Sequence, residues 1–429
     1  MGAAGQATGY EIEQSIRFND NDSAYLARTP SSAGNRRTFT FSCWVKRANI
    51  TGANCPIFTA GGDEWLMFLS GDTLGFNQDG SNNYRIVTTQ LFRDPGAWFH
   101  LVLRVDTTNA TAGDRFRLYI NGAEVTNFGT DTNPPLNYDT AINNTVEHNI
   151  GKLVGGSVFF DGYLAEIHHV DGSSLAPTSF GETNNDGVWI PKAYSGSYGT
   201  NGFYITGETA GDLGEDFSGN NNDFTSSGLA TTDQMPDTPT LNAATLNPLW
   251  KTAATVISDG NLVAKNGSGN TYQRAISTFA IDDGGKYACE FQKSAGTFGY
   301  VGVFQVGNNN VTSGNNYMYA INLGNGEVVK NAAVVIDVGA APANSLMRVE
   351  YDSSNDTIKI FDDGTEIFPA ATGVSNVTGL TGQDSLHFGC AMFATNTIIT
   401  ATFQGLSGTP TADFLELTSA NLATPTIAD

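Results

Sequence analysis

Short segments in which apolar and polar residues alternate run through this chain from about residue 11 onward, and turn residues separate them. Alternation with a period of two is typical of a strand with one buried face, whereas an amphipathic helix requires a period near 3.6. No stretch shows sustained helical periodicity, so the sequence predicts an all-β protein. The clearest strand segments are SIRF (15–18), FTFSCWV (39–45), EWLMFL (64–69), WFHLVLRVD (98–106) and RFRLYI (115–120).

Two hairpin signals indicate how these strands are connected. In RFRLYINGAEV, Phe116, Leu118 and Ile120 share one face, and Asn121-Gly122 supplies a type I′ turn. The segment MRVEYDSSNDTIKIFDDGTEIF (347–368) repeats this construction with an Asp-Gly turn. Hairpins linked by polar connections are typical of antiparallel sandwiches. We therefore expect two β-sandwiches, one in each half of the chain.

The composition of the middle of the chain sets the predicted domain boundaries. A segment from 185 to 248 is rich in Gly, Asn, Asp, Thr and Pro, and its aromatic residues Tyr204, Phe217 and Phe224 favour docking over a free tether. The predicted organisation is an N-terminal tail (1–10), a first sandwich (11–184), the docked linker (185–248), a second sandwich (249–415) and a C-terminal tail (416–429).

The charge balance argues against two classes of partner. The chain contains 21 basic and 43 acidic residues, which gives a formal net charge of -22. Nucleic acid and anionic membranes are bound mainly by clustered Lys and Arg, and the densest basic stretch here is only Arg36-Arg37 with Lys46-Arg47. We expect no nucleic-acid partner and no membrane insertion.

Neither a targeting segment nor a cysteine framework is predicted. The N-terminus MGAAGQATGY has no basic start followed by an apolar core, and no window approaches ~18 consecutive apolar residues. Cys43, Cys55, Cys289 and Cys390 show no C-x-x-C spacing. Cys43 alternates with the apolar residues of its strand and is expected to be buried. These features fit synthesis in a reducing cytosol.

Several motifs resemble known folds. FDGYLAEIHHVDG (160–172) is similar to the closing strand of a concanavalin A-like or laminin G-like jelly roll, and GAWFHLVLRVD with LYINGAEV resembles the other half of that signature through Trp98, His100 and Asn121-Gly122. This resemblance covers roughly residues 13–180. GKYACEFQKSAGTFGYVGVFQV and VEYDSSNDTIKIFDDGTEIF resemble paired strands and the central hairpin of a SPRY-like sandwich. The expected fold is a concanavalin A/laminin G-like jelly roll followed by a SPRY-like sandwich.

A more specific resemblance is to virion proteins of tailed, especially marine, bacteriophages. It is carried by SIRFNDNDSAYLARTPSSAGNRRTFTFSCWVKR, AEIHHVDGSSLAPTSFGE and DFSGNNNDF. The resemblance implies a structural protein of the virion surface, made in the host cytoplasm, that acts as a tail fibre, a knob or a capsid decoration. Its implied partners are other virion proteins of the capsid or tail and host cell-surface polysaccharide. The resemblance also implies a homo-oligomer, with a trimer favoured.

Catalysis is the alternative hypothesis, because glucanases with a jelly-roll fold cleave glycans with two carboxylates. No E-x-D-x-x-E or E-x-D-x-E run is present, and the nearest candidates, Glu11 with Glu13 and Glu166 with Asp171, lack the remaining carboxylates. No G-x-S-x-G motif appears, and no sequence pattern pairs any of the five histidines with a Ser or Cys nucleophile. We therefore expect a binding protein and not an enzyme. A glycan depolymerase and a non-viral lectin stay as alternatives.

Two loops are candidate glycan sites, because sugars are held by aromatic rings together with Asp and Asn hydrogen bonds. QDGSNNYR supplies Asp79, Asn82, Asn83 and Tyr84, and a second candidate pairs Asp63 with Trp65. If the Tyr84 ring stacks on a sugar, binding should fall with Tyr84→Ala and survive Tyr84→Phe. The competing interpretation is that the Asn-rich turns only close hairpins.

Calcium is the one candidate cofactor. In FNDNDS, Asn19, Asp20 and Asp22 form the densest group of oxygen-bearing side chains. The run lacks the spaced D-x-[DN]-x-[DN]-G pattern, so the competing interpretation is a solvated turn.

Overall fold

A computed structural model describes residues 9–50, 52–62, 64–78, 84–296, 298–306, 318–330, 333–339, 344–368 and 385–422. It is all-β and divides into two compact units, of which the first ends at Leu241 and the second begins at Asn242. Residues 185–241, which the sequence assigned to the linker, thus lie in the first unit. No helix in the described part of the chain is long and apolar enough to cross a membrane.

The first unit is built from short antiparallel strands. In chain order they are β1 (Ser15–Phe18), β2 (Tyr25–Arg28), β3 (Thr38–Arg47), β4 (Cys55–Ala60), β5 (Glu64–Phe68), β6 (Thr73–Gln78), β7 (Arg85–Leu91), β8 (Phe99–Asp106), β9 (Phe116–Ile120), β10 (Ala123–Glu124), β11 (Phe128–Thr132), β12 (His148–Ile150), β13 (Gly162–Asp171), β14 (Gly181–Thr183), β15 (Trp189–Pro191), β16 (Phe203–Ile205), β17 (Thr225–Ser227) and β18 (Gln234–Met235). Single 3-10 turns lie at Asp20–Asp22, Ala112–Asp114, Pro177–Ser179 and Thr231–Asp233.

Two sheets of these strands form a sandwich. Sheet I has the order β10-β9-β8-β3-β13-β1-β18, with β16 also paired to β13. Sheet II has the order β11-β7-β6-β5-β4-β12-β2-β17, and β14 pairs with β15 separately. Alternation directs Phe41 of β3 and Phe58 of β4 into the space between the sheets, where their rings stack with centroids 4.7 Å apart. The strands predicted at 15–18, 39–45, 64–69, 98–106 and 115–120 are confirmed.

The hairpin predicted at Asn121-Gly122 is confirmed and explains why glycine is needed there. Asn121 and Gly122 have φ angles of 48° and 77°, which are the left-handed conformations of a type I′ turn. A Cβ added at Gly122 would lie 2.4 Å from Cζ3 of Trp189, so the bare glycine also makes room for that indole ring. The turn therefore positions a residue that is distant in the sequence.

Residues 172–241, which we call the cover segment, pack on the outer face of sheet I. Phe180 and Tyr198 contact Val102 and Val170 there. Trp189 packs near Trp44 in a second cluster on the same face. Among the aromatic residues of this region, Phe224 is 2% exposed and packs in the core between the sheets, Tyr204 is half-buried, and Phe217 is 39% exposed. The cover segment thus forms an outer layer on sheet I through Phe180 and Tyr198, and it also completes the two sheets through β16, β17 and β18.

The second unit is a further antiparallel sandwich. Its strands are β19 (Leu246–Lys251), β20 (Thr255–Ser258), β21 (Val263–Asn266), β22 (Gln273–Ser277), β23 (Lys286–Ala295), β24 (Gly299–Gln305), β25 (Met318–Asn322), β26 (Glu327–Lys330), β27 (Ala333–Asp337), β28 (Leu346–Asp352), β29 (Thr357–Asp362), β30 (Thr365–Phe368), β31 (Leu386–Met392), β32 (Ile398–Thr402) and β33 (Leu415–Glu416). One sheet has the order β19-β22-β31-β24-β25-β26-β27 and the other β20-β21-β32-β23-β28-β29-β30, with β33 beside β23. Inward side chains of both sheets, such as Val301 and Val349, share one apolar core. The Asp363-Gly364 turn has φ angles of 45° and 80°, which confirms the second predicted hairpin.

All four cysteines are buried and unpaired, as expected for Cys43 from its strand pattern. Burial raises the pKa of the Cys390 thiol to about 12 and that of Cys55 to about 11. A thiol with so high a pKa is inert at neutral pH, so the cysteines serve as small apolar core residues.

Candidate functional site

The outer face of sheet II carries a row of polar side chains that the strand register aligns. Asn149 of β12 pairs with Ala27 of β2 on one side and with Thr59 of β4 on the other. Thr59 then pairs with Trp65, Trp65 with Asn77, and Asn77 with Arg85. The middle of this row is buried and its two ends are open to solvent, at Ala27 and at Arg85. A ligand can therefore reach the face at its ends.

At one end of the face, two half-buried rings and a lysine form a cluster. The ring centroids of Tyr25 and Phe159 are 6.2 Å apart. The Lys152 ammonium lies 4.1 Å from the Tyr25 centroid and 5.9 Å from the Phe159 centroid. Such positions are typical of cation–π contacts, which keep the cation in place and leave its charge available.

A short hairpin from 152 to 159 holds this cluster in place. Lys152 and Phe159 form a β-bridge at its base. The Thr59 hydroxyl donates to the Lys152 carbonyl at 2.7 Å and accepts from the Val154 amide at 3.3 Å. Because these bonds fix the backbone, Lys152 and Phe159 are positioned by the fold.

At the other end of the face, an arginine lies against the indole of β5. The Arg85 guanidinium carbon is 5.9 Å from the Trp65 ring centroid, and Arg85 is exposed. Trp65 lies across Gly75 of the neighbouring strand, where an added Cβ would be 3.1 Å from Cζ3 of the indole. Trp65 itself is only 4% exposed. The prediction that its ring is open to a sugar is therefore wrong, although it does lie on the candidate face.

Tyr84 does not form the predicted stacking site. It is fully buried between the sheets, with its ring centroid 5.3 Å from that of Phe76 and 4.7 Å from that of Phe116. Alternation through the core residue Ile86 directs Tyr84 inward, so the hypothesis that its ring stacks on a sugar is wrong. Asp63, Asp79, Asn82 and Asn83 lie outside the described residues.

The buried neighbour of Tyr84 is a carboxyl group, Glu64. Burial raises the pKa of Glu64 to about 7, and burial together with the Glu64 charge raises the pKa of Tyr84. Glu64 also accepts a hydrogen bond from the Ala141 amide. The pair is a polar contact inside the core and is closed to ligands.

The candidate calcium residues close a turn. Asn19 precedes the 3-10 turn Asp20–Asp22, and its side-chain oxygen accepts from the Asn21 amide at 3.1 Å. Its side-chain nitrogen donates to the Asp22 carboxylate at 2.8 Å. Within the described ranges, no group of three or more His, Cys, Asp or Glu residues is arranged to hold a metal ion. The turn interpretation fits this geometry, and calcium binding stays a prediction.

The carboxylates considered for glycan cleavage act within the fold. Glu166 occupies a bulge of β13 with φ of 49° and accepts hydrogen bonds from Tyr10 at 2.9 Å and Tyr204 at 2.5 Å. Asp171 accepts from the backbone amides of Asn35 and Asn201 at 2.7 and 3.0 Å. Both carboxylates are less than a tenth exposed. Their hydrogen bonds connect segments that are distant in the sequence to β13.

Three of the first unit's histidines are held neutral by burial. Desolvation lowers the pKa of His100 and of His169 to about 3, and that of His148 to about 4. His100 accepts a hydrogen bond from the Trp189 indole at 3.0 Å, which ties the cover segment to β8. These imidazoles are structural.

Sequence reasoning missed Tyr25, Arg85, Lys152 and Phe159 as site residues. One usable signal was present: Lys152 and Phe159 flank LVGGSV (153–158), whose Gly155-Gly156 pair indicates a tight hairpin. The contact of that hairpin with Tyr25 depends on β12 pairing with β2. No local pattern encodes this pairing.

Comparison with known proteins supports the fold of the first unit. Residues 19–178, less than half of the chain, match the family described as the concanavalin A-like lectin/glucanases superfamily. Comparison with curated protein sequences found no match.

Similar solved structures include SPRY domains and a bacterial protein. The SPRY domain of human HERC1 is 14% identical with a TM-score of 0.31, and the match covers 38% of this chain and 99% of that domain. The TRIM65 PSpry domain is 11% identical with a TM-score of 0.30, over 38% of this chain and 93% of its own. A candidate carbohydrate-binding protein from Bacteroides ovatus is 14% identical with a TM-score of 0.31, over 51% of this chain and 58% of its own. The match to the family model leads to one conclusion: the chain contains a concanavalin A-like domain at residues 19–178.

Proposed function

We propose that this chain is a non-catalytic, saccharide-binding structural protein of a bacteriophage particle, and that it binds saccharide on the outer face of sheet II. The observation that carries the binding site is the half-buried cluster of Tyr25, Phe159 and Lys152. Aromatic rings stack on the apolar faces of sugars, and nearby polar groups orient them. The cover segment occupies the outer face of sheet I. The match to a lectin and glucanase family supports the same class of ligand.

Binding without turnover is the expected mode of action. The carboxylates Glu166 and Asp171 are engaged in buried hydrogen bonds, and neither contacts the Tyr25 cluster. Release of reducing ends from a bound polysaccharide would favour a depolymerase instead.

The virion assignment rests on the sequence resemblance and on surface charge. A net charge of -22 suits a protein displayed at high local density, because repulsion limits contacts between neighbouring copies. The proposed partners are capsid or tail proteins and further copies of this chain, with a trimer favoured. Mass spectrometry of purified particles should detect the chain, and cryo-electron microscopy should show two linked sandwiches on the virion surface. Particles that lack the chain would overturn this assignment.

Saccharide binding is tested on an array of neutral and acidic oligosaccharides. Tyr25→Ala should weaken binding about tenfold, because the stacking surface is removed, whereas Tyr25→Phe should retain it. Phe217→Ala is a matched control, since Phe217 is an exposed aromatic residue of the cover segment. Absence of binding to every saccharide on the array would contradict the proposed function.

A further inference from the structure

Three charged side chains on the outer face of the second sandwich are buried. The neighbouring residues of β23 and β28 face the core, so alternation directs Glu290, Arg348 and Glu350 outward. Their exposed fractions are only 2%, 7% and 0%. Arg348 donates to the Glu350 carboxylate at 3.0 Å. A later segment of the chain, residues 405–413, lies over these side chains, and we call it the strap.

The main chain of the strap is bonded to both glutamates. The Ser407 and Gly408 amides donate to the two oxygens of Glu290 at 2.9 and 3.1 Å, and the Ser407 hydroxyl donates to the same carboxylate at 3.1 Å. The Thr411 amide donates to Glu350 at 2.8 Å. Glu290 and Glu350 thus form a set of hydrogen-bond acceptors, which we call the acceptor site, and the strap occupies it.

The strap has no apolar anchor of its own. None of the residues from 405 to 413 is buried, and the structure describes all of them. Segments with few buried contacts open locally at a lower cost than that of global unfolding. Leu417, which follows the strap, is buried in the core and can stay in place. The strap can therefore leave the acceptor site while the sandwich stays folded.

The closed position of the strap carries two costs. Its end residues Gly405 and Asp413 have φ angles of 67° and 75°, and the left-handed region is unfavourable for a residue with a side chain such as Asp413. The second carboxylate oxygen of Glu350 accepts no hydrogen bond from the described residues, and a buried acceptor without a donor is also unfavourable. Strained connections favour the exchange of a segment between copies of a protein.

We propose that the strap is an autoinhibitory contact that opens and is exchanged between copies, so that the strap of one chain occupies the acceptor site of a second chain. A second copy is the occupant because its strap reproduces every hydrogen bond of the closed state. It also supplies glycine at position 408, where a Cβ would lie 2.3 Å from Nη1 of Arg348. This inference rests on the proposed homo-oligomer and names a contact between its copies. Display at high local density raises the effective concentration of the second strap.

The test mixes two full-length variants, each of which lacks one half of the contact. Glu290→Ala removes the acceptor of three hydrogen bonds and leaves the strap intact. Ser407→Pro with Gly408→Val removes the Ser407 donors, places a side chain against Arg348 and leaves the acceptor site intact. Each variant alone should sediment as a monomer. Their equimolar mixture should form a complex in which native mass spectrometry detects one chain of each kind.

Controls separate the contact from a loss of folding. Glu366→Ala is matched to Glu290→Ala, since Glu366 is an exposed glutamate of β30, and it should form no complex with the strap variant beyond that of the unsubstituted chain. Circular dichroism checks that each variant is folded, and Glu290→Gln replaces Glu290→Ala if the alanine variant is not.

Hydrogen exchange tests the opening step in the unsubstituted chain. The amides of Ser407, Gly408 and Thr411 should exchange about tenfold faster than those of β23, because local opening releases them. Equal protection of the two groups would overturn the opening of the strap.

The outcomes of the mixing experiment separate this inference from the proposed function. A mixture of folded variants without a complex would show that the strap binds only its own chain. Association of each variant alone, to the same extent as the mixture, would place the contact elsewhere and would also overturn the exchange. Neither outcome affects saccharide binding or the presence of the chain in particles, which the array and the mass spectrometry of particles test separately.

Discussion

The Lys46 ammonium and the Asp237 carboxylate form an ion pair at 2.7 Å, and the two side chains are 0% and 4% exposed. The same carboxylate accepts a hydrogen bond from the Trp98 indole at 2.9 Å. A charge in a protein interior is tolerated when it is paired and hydrogen-bonded. The pair therefore fixes the end of the cover segment to β3 through charge as well as through apolar packing.

Removal of one member of this pair should be strongly destabilising. Asp237→Asn leaves Lys46 charged in a buried site, and we expect a loss of about 3–5 kcal/mol in the free energy of unfolding. Urea unfolding followed by tryptophan fluorescence measures it, because Trp44, Trp65, Trp98 and Trp189 all lie in the first unit. Lys46→Met with Asp237→Leu is the control, since it removes both charges and should recover most of the loss. Equal stability of Asp237→Asn and the unsubstituted protein would contradict the role of the pair.

Glu64 should make the first unit less stable as the pH rises. The folded protein holds the Glu64 proton up to about pH 7, whereas the unfolded chain releases it near pH 4.5. The contribution of Glu64 to the free energy of unfolding is fully present below pH 4.5. It decreases by about 3 kcal/mol as the pH rises from 4.5 to 7. Glu64→Gln should match the unsubstituted protein near pH 4.5 and exceed its stability by up to that amount at pH 8. Parallel stability curves for the two proteins would show that Glu64 ionises freely in the fold.

The buried histidines should make the first unit less stable as the pH falls. Because the pKa values of His100 and His169 are lowered to about 3 in the fold, the unfolded chain binds protons that the folded chain excludes between pH 3 and 6.5. The contribution of these histidines to the free energy of unfolding is fully present above pH 6.5. It decreases as the pH falls below 6.5, by about 1.4 kcal/mol per pH unit for each histidine. His169→Gln should reduce the slope of stability against pH between 6.5 and 4.5. A slope that His169→Gln leaves unchanged would mean that His169 is protonated inside the fold.

Substitutions at Tyr84 and Tyr25 should affect different properties: Tyr84→Ala should lower stability, and Tyr25→Ala should lower saccharide affinity. Tyr84→Ala empties a fully buried position and should cost about 3–5 kcal/mol of stability, with saccharide affinity unchanged in the protein that is folded. Tyr25→Ala should lower affinity at a cost below about 1.5 kcal/mol of stability, because Tyr25 is half-buried at the surface of sheet II. Paired unfolding and binding measurements check both variants. A binding loss confined to Tyr84→Ala would restore the discarded stacking site.

Strands and hairpins could be predicted because their signals are local. The apolar residues of β3 and β9 alternate along the chain, and Asn121-Gly122 adopts a turn that few other residue pairs permit. The same alternation, extended from Ile86 back to Tyr84, also places Tyr84 inside the sandwich. The Asn-rich sequence before Tyr84 concealed this relationship and favoured a surface interpretation.

The candidate site could not be predicted, since its parts meet only after the sheets form. Lys152 reaches Tyr25 because β12 pairs with β2, and Arg85 joins the same face through four strand pairings. Each residue is unremarkable in its own segment. Sheet order, which single-sequence patterns do not specify, places them together.

The cover segment determines which part of the chain can be moved as a module. A protein cut at residue 184 would lose β16, β17 and β18 from the two sheets, Lys46 would lose its counter-ion, and the apolar outer surface around Val102 and Val170 would be exposed to water. Such a fragment would associate through that surface in place of folding cleanly. A cut after Leu241 retains these contacts. Exchange of the domain between proteins, in the laboratory or by recombination, therefore has to carry the three layers together.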